Sequence, residues 1–221
     1  MKIAVLGTGE VGRRLASKLV EVGHDVRMGS RTADNEKATA WASEAGDAAS
    51  HGTFADAAAF AELVVNASSG KHSLEVLEAA GEALDGKVLV DVSNPLDFSN
   101  GFPPSLTVCS DDSLAEQIQR AHPAAKVVKA LNTLSNVLMV DPRKLDGTHH
   151  TFVSSDHDDA KKIVGELLES FDWRPEEIFD LGPLSTARGT EAWLLMWTRI
   201  YGAKGNAMFN MRLVFGETPA E

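Results

Sequence analysis

The chain has 221 residues, a formal net charge of −11 at pH 7, 43% apolar residues and 24% charged residues. This length allows one sizeable domain, or one domain with an appendage, and the acidic balance argues against nonspecific binding to nucleic acid or to an anionic membrane surface. No apolar run reaches the ~20 residues of a membrane span, no secretory signal pattern opens the chain, and Cys109 is the single cysteine, so we expect a reduced cytoplasmic protein.

The first predicted unit is a strand, a glycine-rich turn and a helix. An apolar run ends at Leu6, the spacing G-x-G-x-x-G follows, and Leu15 and Leu19 continue on one helical face. In such a turn the first glycine permits the tight bend, the second lets a pyrophosphate approach the backbone, and the third allows close packing of helix on strand. The pattern predicts a dinucleotide site at the helix N-terminus. The turn residues expected to bind are Gly7, Thr8, Gly9, Glu10, Val11 and Gly12.

The second predicted strand, His24 to Met28, indicates which dinucleotide binds. It ends in Gly29-Ser30-Arg31, where an NAD site usually places an acidic residue that accepts hydrogen bonds from the ribose 2′-hydroxyl. Ser30 and Arg31 can instead donate to phosphate oxygens, which favours NADP. The alternative is a solvated turn with an ordinary surface arginine.

Helices and strands continue to alternate up to residue 133. The predicted helices are Asn35 to Ala45, Phe54 to Phe60, a segment marked by Leu74, Leu77, Ala80 and Leu84, and one capped by Ser113 with Glu116 that ends near Ala121. The predicted strands are Leu63 to Ala67, Lys87 to Val92 and Lys126 to Leu131. This order predicts an α/β fold with a doubly wound (Rossmann) parallel sheet over residues 1–133.

Residues 134–221 predict a small C-terminal α/β extension. Its elements are a strand from Thr148 to Val153, a helix capped by Ser155 with Asp158, a strand from Ile178 to Leu181 and a long helix beginning near Thr190. The last helix carries a broad apolar stripe rich in aromatic residues. That stripe either covers the core of its own subunit or forms a homodimer interface, where Trp, Tyr and Met concentrate.

Small and polar residues follow three of the predicted parallel strands. Because ligands of open α/β sheets lie beyond the carboxyl ends of the strands, we expect a nicotinamide and its ribose to lie across them. The alternative is that they are ordinary turn and cap residues. The residues expected to bind there are Ala67, Ser68, Ser69, Ser93, Asn94, Pro95, Ala130 and Asn132.

No catalytic acid, base, nucleophile or metal site emerges from the sequence. His149 and His150 lack partners at metal-ligand spacing, and Lys204 lies in a segment that only superficially matches the lysine motif of hydroxyacid dehydrogenases. Hydride transfer from a nicotinamide to a flavin-like ring needs stacking and positioning rather than a strong base. The lack of a catalytic acid or base in the sequence therefore fits hydride transfer to a flavin-like ring.

Four segments together resemble one known family. These are the glycine turn, Gly29-Ser30-Arg31, Lys129-Ala130-Leu131-Asn132, and Asp180 to Leu184 followed by Ser185 to Arg188. With them the chain resembles the F420-dependent NADP oxidoreductases over nearly its whole length. It is also similar to the reductase domain of membrane metalloreductases, in which the acceptor is a flavin.

The resemblance implies roles for individual residues. Thr8, Ser30 and Arg31 would hold the 2′-phosphate, and Asn35 stands where family members often have a second basic residue. The acceptor pocket would lie between the strand ends and the loop at residues 182–184, and the protein would be a homodimer.

These observations predict hydride transfer between NADP(H) and the deazaflavin coenzyme F420. Two alternatives remain open: an NADPH-dependent reductase of flavin or another small acceptor, and a non-catalytic NADP(H)-binding redox sensor. An open pocket above the nicotinamide would favour an enzyme, whereas a side chain such as Trp193 filling that space would favour a sensor.

Overall fold

A mixed sheet of eight strands, with helices on both faces, organises residues 1–216, which the computed structural model describes. The strands are β1 Lys2–Leu6, β2 Asp25–Ser30, β3 Ala49–Thr53, β4 Leu63–Asn66, β5 Val88–Asp91, the short pair β6 Leu96–Asp97 and β7 Ser105–Leu106, β8 Lys126–Ala130, β9 Thr151–Ser154 and β10 Ile178–Asp180. The helices are α1 Glu10–Glu21, α2 Glu36–Ala45, α3 Phe54–Phe60, α4 Ser73–Ala80, α5 Leu114–Ala121, α6 Asn136–Val140, α7 Asp158–Glu169 and α8 Ala187–Lys204.

The strand order confirms the doubly wound architecture. The main sheet runs β3-β2-β1-β4-β5-β8-β9-β10, and its first six strands are parallel. This is the Rossmann order, in which the chain reverses direction across the sheet between β1 and β4. Ligands bind beyond the strand ends at such a switch point.

The C-terminal strands β9 and β10 extend the same sheet but run antiparallel to its first six strands. β9 pairs antiparallel with β8 through Ala130 and Val153, and β10 pairs parallel with β9. The parallel pattern therefore stops at β8. Residues 217–221 lie outside the described part of the chain, and a separate domain over 134–221 stays a prediction.

Two apolar cores cover the two faces of the sheet. Ile3 and Val5 of β1 face a core built with α1, α2, α6 and α7, while Ala4 and Leu6 face one built with α3, α4, α5 and the start of α8. Because both faces are buried, the central strands are nearly continuous apolar runs rather than alternating ones. Among residues 1–216, no helix is both long and apolar enough to cross a membrane.

The structure differs from the predicted elements at several ends. β3 and α6 were not predicted: β3 is an edge strand with one buried residue, Gly52, and α6 has only five residues. The predicted capping role of Ser155 is wrong, because His157 is the N-cap of the helix; the Ser155 hydroxyl accepts from the His157 N–H at 3.1 Å and donates to the Val127 carbonyl. Helix α8 begins at Ala187, three residues before the predicted start.

The predicted capping box at α5 forms only in part. Ser113 accepts from the Glu116 backbone N–H, as predicted, at 3.2 Å. The Glu116 carboxylate instead accepts from the Ser113 hydroxyl and from Arg188 of α8. This carboxylate therefore joins two helices.

Candidate functional site

The turn between β1 and α1 has the shape that a pyrophosphate needs. Gly7 has φ +129°, and a Cβ there would lie 2.6 Å from the Ala67 carbonyl oxygen. A Cβ on Gly12 would lie 2.1 Å from the Gly7 carbonyl oxygen, so α1 packs against the turn as closely as backbone allows. At Gly9 a Cβ would meet no protein atom within 4 Å. The space in front of Gly9 is therefore open beside the first turn of α1, whose N–H groups have no partner within the helix, and binding of a diphosphate there stays a prediction.

The end of β2 and the start of α2 place three residues predicted to bind the cofactor in different environments. Ser30 is only 3% exposed, and its hydroxyl donates to the Thr32 carbonyl at 2.5 Å. Arg31 is exposed, and no carboxylate of residues 1–216 lies within 4.0 Å of its guanidinium. Asn35 is the N-cap of α2, with its side-chain oxygen accepting from Lys37 and Ala38 N–H groups. Contact of these residues with a cofactor stays a prediction.

A cleft of about 750 Å³ opens beyond the carboxyl ends of β4, β5 and β8. Many of the residues predicted to bind there do line it, and they form a polar surface that we name the floor. The floor residues are Glu10, Val11, Ala67, Ser68, Ser69, Ser93, Asn94 and Asn132. Pro95 and Ala130 do not line the cleft. Ala130 is fully buried within β8, and the Pro95 carbonyl accepts from the Thr107 N–H at 2.8 Å.

Hydrogen bonds between neighbouring strand ends hold the floor in place. The Asn132 amide donates to the Asn94 side-chain oxygen, and the Asn94 amide donates to the Asn132 carbonyl, both at 2.9 Å. Ser68 donates to the Asn66 side-chain oxygen at 2.6 Å. Just before Asn132, Leu131 takes the left-handed backbone conformation with φ +59°, which is strained for a leucine. This bend turns the chain out of β8 towards Asn94.

Helix α8 supplies the opposite side of the cleft, a surface that we name the aromatic wall: Leu194, Trp197 and Tyr201. The Trp197 and Tyr201 rings stack with centroids 5.6 Å apart and planes at 6°. Phe209, from the segment after α8, stacks on Trp197 at 5.3 Å. That segment is attached to the chain just before β9, where the Leu213 N–H donates to His150 Nδ1 at 3.1 Å.

Trp193 does not fill the cleft. Its indole N–H donates to the Thr133 carbonyl at 3.1 Å, and its side chain is not part of the cleft lining. The space above the floor is therefore open, the arrangement that favours an enzyme over a sensor.

The loop at residues 182–184 lies elsewhere than the family resemblance implied. It does not line the cleft. Gly182 accepts from Ser155 N–H at 3.0 Å, Leu184 N–H donates to Asp156 at 3.0 Å, and the Leu184 side chain is buried. The loop thus turns the chain from β10 into α8, and the helix itself forms the wall.

A fully buried group of charges lies beneath the floor, and we name it the Lys129 cluster: Asp91, Lys129 and Glu191. The Lys129 ammonium, 1% exposed, donates to Asp91 at 2.8 Å, to the Ser93 carbonyl at 2.6 Å and to Glu191 at 2.8 Å. Burial opposes its charge, but the two carboxylates outweigh that effect and raise the pKa of Lys129 above its ordinary value. The ammonium therefore stays charged.

Comparison with known proteins fits this geometry. Residues 2–95 match the family model described as NADP oxidoreductase, coenzyme F420-dependent. An F420-dependent NADP reductase of Methanothermobacter marburgensis is 33% identical over 205 residues, which cover 86% of this chain and 88% of that protein. The chain belongs to the F420-dependent NADP reductase family. It is accordingly an NADP-dependent oxidoreductase, and the family implies NADP(H) and F420 as substrates.

The chain is also similar to a solved structure and to a metalloreductase. A solved structure from Arthrobacter sp. FB24, assigned as an F420-dependent NADP reductase, is 48% identical, covers 97% of this chain and all of that one, and superposes with a TM-score of 0.92. Rat metalloreductase STEAP3 is 32% identical over 192 residues, but the match spans 36% of that protein.

Three features of this F420-dependent NADP reductase family member were not predicted from its sequence. The aromatic wall and the Lys129 cluster depend on where α8 crosses the strand ends. Arg13 and Arg14 line a groove of about 620 Å³ between α1 and α2, beside the glycine turn. The charge at position 129, inside an otherwise apolar strand, was the signal that could have revealed the buried cluster.

Proposed function

We propose that the protein transfers a hydride between C4 of the nicotinamide of NADP(H) and C5 of coenzyme F420. The observation that carries this proposal is the open cleft, which sets the polar floor at the strand ends against the aromatic wall of α8. A nicotinamide and a second planar ring can lie face to face between two such surfaces. Membership of the F420-dependent NADP reductase family supports the same pair of substrates.

The cofactor is oriented from its diphosphate outwards in this proposal. The N-terminus of α1 and the open space at Gly9 hold the diphosphate, and Arg31 with Thr8 and Ser30 hold the 2′-phosphate. For Ser30 this requires its hydroxyl to turn away from the Thr32 carbonyl. The nicotinamide then lies across the floor near Asn94 and Asn132, whose amide groups can bind its carboxamide.

The aromatic wall is suited to a planar acceptor. Trp197 and Tyr201 present rings that already stack on each other, and a tricyclic ring can pack on them in an offset or edge-to-face geometry. When bound, F420 supplies the ring carbon that takes the hydride and a ring nitrogen that takes a proton from solvent.

The chain need not supply a proton-transfer group. Among the described residues, the ionisable side chains that line the cleft are Glu10, Lys71, Asp97 and Tyr201, and each is at least partly exposed to solvent. Positioning of two rings within reach of each other provides the catalysis.

A homodimer is part of the proposal. Large apolar side chains remain exposed on α8 and after it in the single subunit: Met196, Tyr201, Met208, Val214 and Phe215. Sedimentation at several protein concentrations tests it, and a monomer at all concentrations would contradict it.

A deazaflavin reduction assay tests the function. Purified protein is mixed with oxidised F420 and either NADPH or NADH, and the loss of deazaflavin absorbance is followed. Parallel reactions replace F420 with FMN or FAD. NADPH binding is measured separately by fluorescence, so that inactive protein is distinguished from protein that fails to bind the cofactor.

Rapid loss of absorbance with NADPH and slow loss with NADH are expected. If the protein binds NADPH but reduces only FMN or FAD, the acceptor is a flavin and not F420. Protein that binds NADPH and reduces none of the three would leave the sensor alternative.

A further inference from the structure

We propose that Lys129 is a positioning residue, which holds the floor and the aromatic wall of the cleft at the separation that hydride transfer requires. The proposal rests on the proposed function of the cleft. It assigns a role to a buried charged group that touches neither the expected cofactor nor the expected acceptor.

The link from Lys129 to the floor passes through two strand ends. Its ammonium donates to the Ser93 carbonyl at 2.6 Å and to Asp91 at 2.8 Å. The other oxygen of Asp91 accepts from the Ser93 hydroxyl at 2.7 Å and from the Asn66 amide at 2.9 Å. Asn66 in turn accepts from the Ser68 hydroxyl at 2.6 Å. Ser68 and Ser93 both line the cleft, so the position of the floor follows that of Lys129.

The link from Lys129 to the wall passes through Glu191. This residue lies in the second turn of α8, three positions before Leu194 and six before Trp197. Its carboxylate accepts from Lys129 at 2.8 Å and from the first two N–H groups of α5, Leu114 at 2.8 Å and Ala115 at 3.1 Å. One side chain thus fixes α8 against both the strand ends and α5.

The buried charges of the Lys129 cluster are best explained by the arrangement that their hydrogen bonds specify, rather than by a gain in stability. Two carboxylates and one ammonium leave a net negative charge in the interior, partly offset by the positive end of α5. Buried ion pairs add little stability compared with apolar residues of similar size, because desolvation offsets their attraction. Directional bonds, however, specify one arrangement of the elements that they join. Lys129 is also too deeply buried, at 1% exposure, to exchange protons with the cleft.

The test compares Glu191→Gln with Arg188→Gln. Glu191→Gln weakens the link between α8 and Lys129 and, because the amide NH2 group cannot accept a hydrogen bond, also the link to α5, while the pair of Lys129 and Asp91 remains. Arg188, one turn earlier on α8, binds Glu116 of α5 at 2.6 Å and is 38% exposed. The control therefore removes a contact between α8 and α5 without touching the strand ends. For each variant we would measure the Kd of NADPH, the kcat for F420 reduction, the primary deuterium isotope effect and the induced circular dichroism of the bound dihydronicotinamide.

For Glu191→Gln we expect kcat to fall about 100-fold, the loss that a displacement of about 1 Å can cause. The Kd of NADPH should stay unchanged, because the diphosphate binds at α1, and the isotope effect should rise. Arg188→Gln should match the wild type in all four measurements. If Glu191→Gln does not fold, Glu191→Asp keeps the charge but shortens the side chain, and it should lower kcat in the same way.

Equal losses of kcat in the two variants would overturn the proposal, and so would a rise in the Kd of NADPH in Glu191→Gln with kcat unchanged. If the wild type does not reduce F420, the proposed function fails by itself. The circular dichroism still tests the inference in that case: the nicotinamide band should weaken in Glu191→Gln alone, and an unchanged band would refute the positioning role.

Discussion

The glycines of the first turn allow a prediction that separates folding from cofactor binding. Gly9→Ala and Gly12→Ala each add one methyl group, at positions three residues apart in the chain. The Gly9 backbone has φ −73°, which any residue adopts, and its Cβ would meet no protein atom within 4 Å. The Gly12 Cβ would lie 2.1 Å from the Gly7 carbonyl oxygen. The same change should therefore have opposite consequences at the two positions.

The magnitudes follow from these distances. A Cβ is rarely nearer than 3.0 Å to another atom, so Gly12→Ala must move α1 by about 1 Å from the turn. Overpacking of this kind costs about 1–3 kcal/mol, and the backbone obstacle favours the upper end, which for a chain of this size lowers Tm by roughly 6–12 °C. Alanine in place of glycine at an N-cap costs under about 1 kcal/mol, so the Tm of Gly9→Ala should fall by less than about 4 °C.

Cofactor binding should respond differently. In Gly9→Ala the methyl group takes the space of the diphosphate, and loss of one charge-assisted hydrogen bond, about 1.5–3 kcal/mol, would raise the Kd of NADPH roughly 10- to 150-fold. Thermal unfolding with and without NADPH measures both effects, because a ligand raises Tm in proportion to its binding. Unimpaired binding of NADPH by Gly9→Ala would show that the diphosphate does not lie at this turn. A Tm for Gly12→Ala equal to that of Gly9→Ala would refute the packing argument.

Three other changes test separate parts of the molecule. Arg31→Ala should raise the Kd of NADPH about 10- to 150-fold and leave NADH binding unchanged, because only NADPH carries the 2′-phosphate; equal losses in titrations of both cofactors would exclude that contact. Trp197→Ala should raise the KM for F420 more than the Kd of NADPH, and steady-state kinetics that show the reverse would place the acceptor elsewhere. The hydrogen bond from Arg120 lowers the pKa of Asp112 to about 2, so the stability that this ion pair provides is present above the unfolded value of 3.8 and is lost as the pH falls towards 2. Arg120→Gln should accordingly lower the free energy of unfolding by up to about 1 kcal/mol at neutral pH and by less at about pH 3, as measured by urea unfolding, whereas a constant difference would mean that the pair contributes no charge effect.

Local patterns predicted the parts of the molecule that depend on neighbours in sequence. The glycine spacing after β1 predicted a turn whose three glycines now have separate geometric reasons, and the continuous apolar runs at Leu63 and Val88 predicted strands buried on both faces. The doubly wound fold and the family were confirmed on this basis. The edge strand at Ala49–Thr53 gave no such signal, because little of it is buried.

The rest depends on contacts between residues far apart in the chain. Glu191 bonds to residues 62 and 77 positions before it, Lys129 and Leu114, and neither pairing leaves a periodic pattern. The reversal of β9 depends likewise on the path of the chain from residue 131 to 150, where no short turn indicates a hairpin. The cap signal at Ser155 also misled, because a hydroxyl shortly before a helix can bond to an adjacent strand and to a backbone N–H without being the N-cap.

The bend at Leu131 has a consequence for how this chain can vary. A left-handed leucine costs about 1–2 kcal/mol relative to the ordinary conformation, and glycine would remove that cost. Yet the Leu131 side chain is 2% exposed and belongs to the core beneath the sheet, where its removal would cost about 2–5 kcal/mol. Glycine relieves the backbone strain but loses the buried side chain, whereas another large residue keeps the burial and also the strain. No single substitution of these kinds therefore relaxes the bend without a cost. Directed evolution for heat resistance should therefore leave position 131 unchanged and accumulate its gains elsewhere.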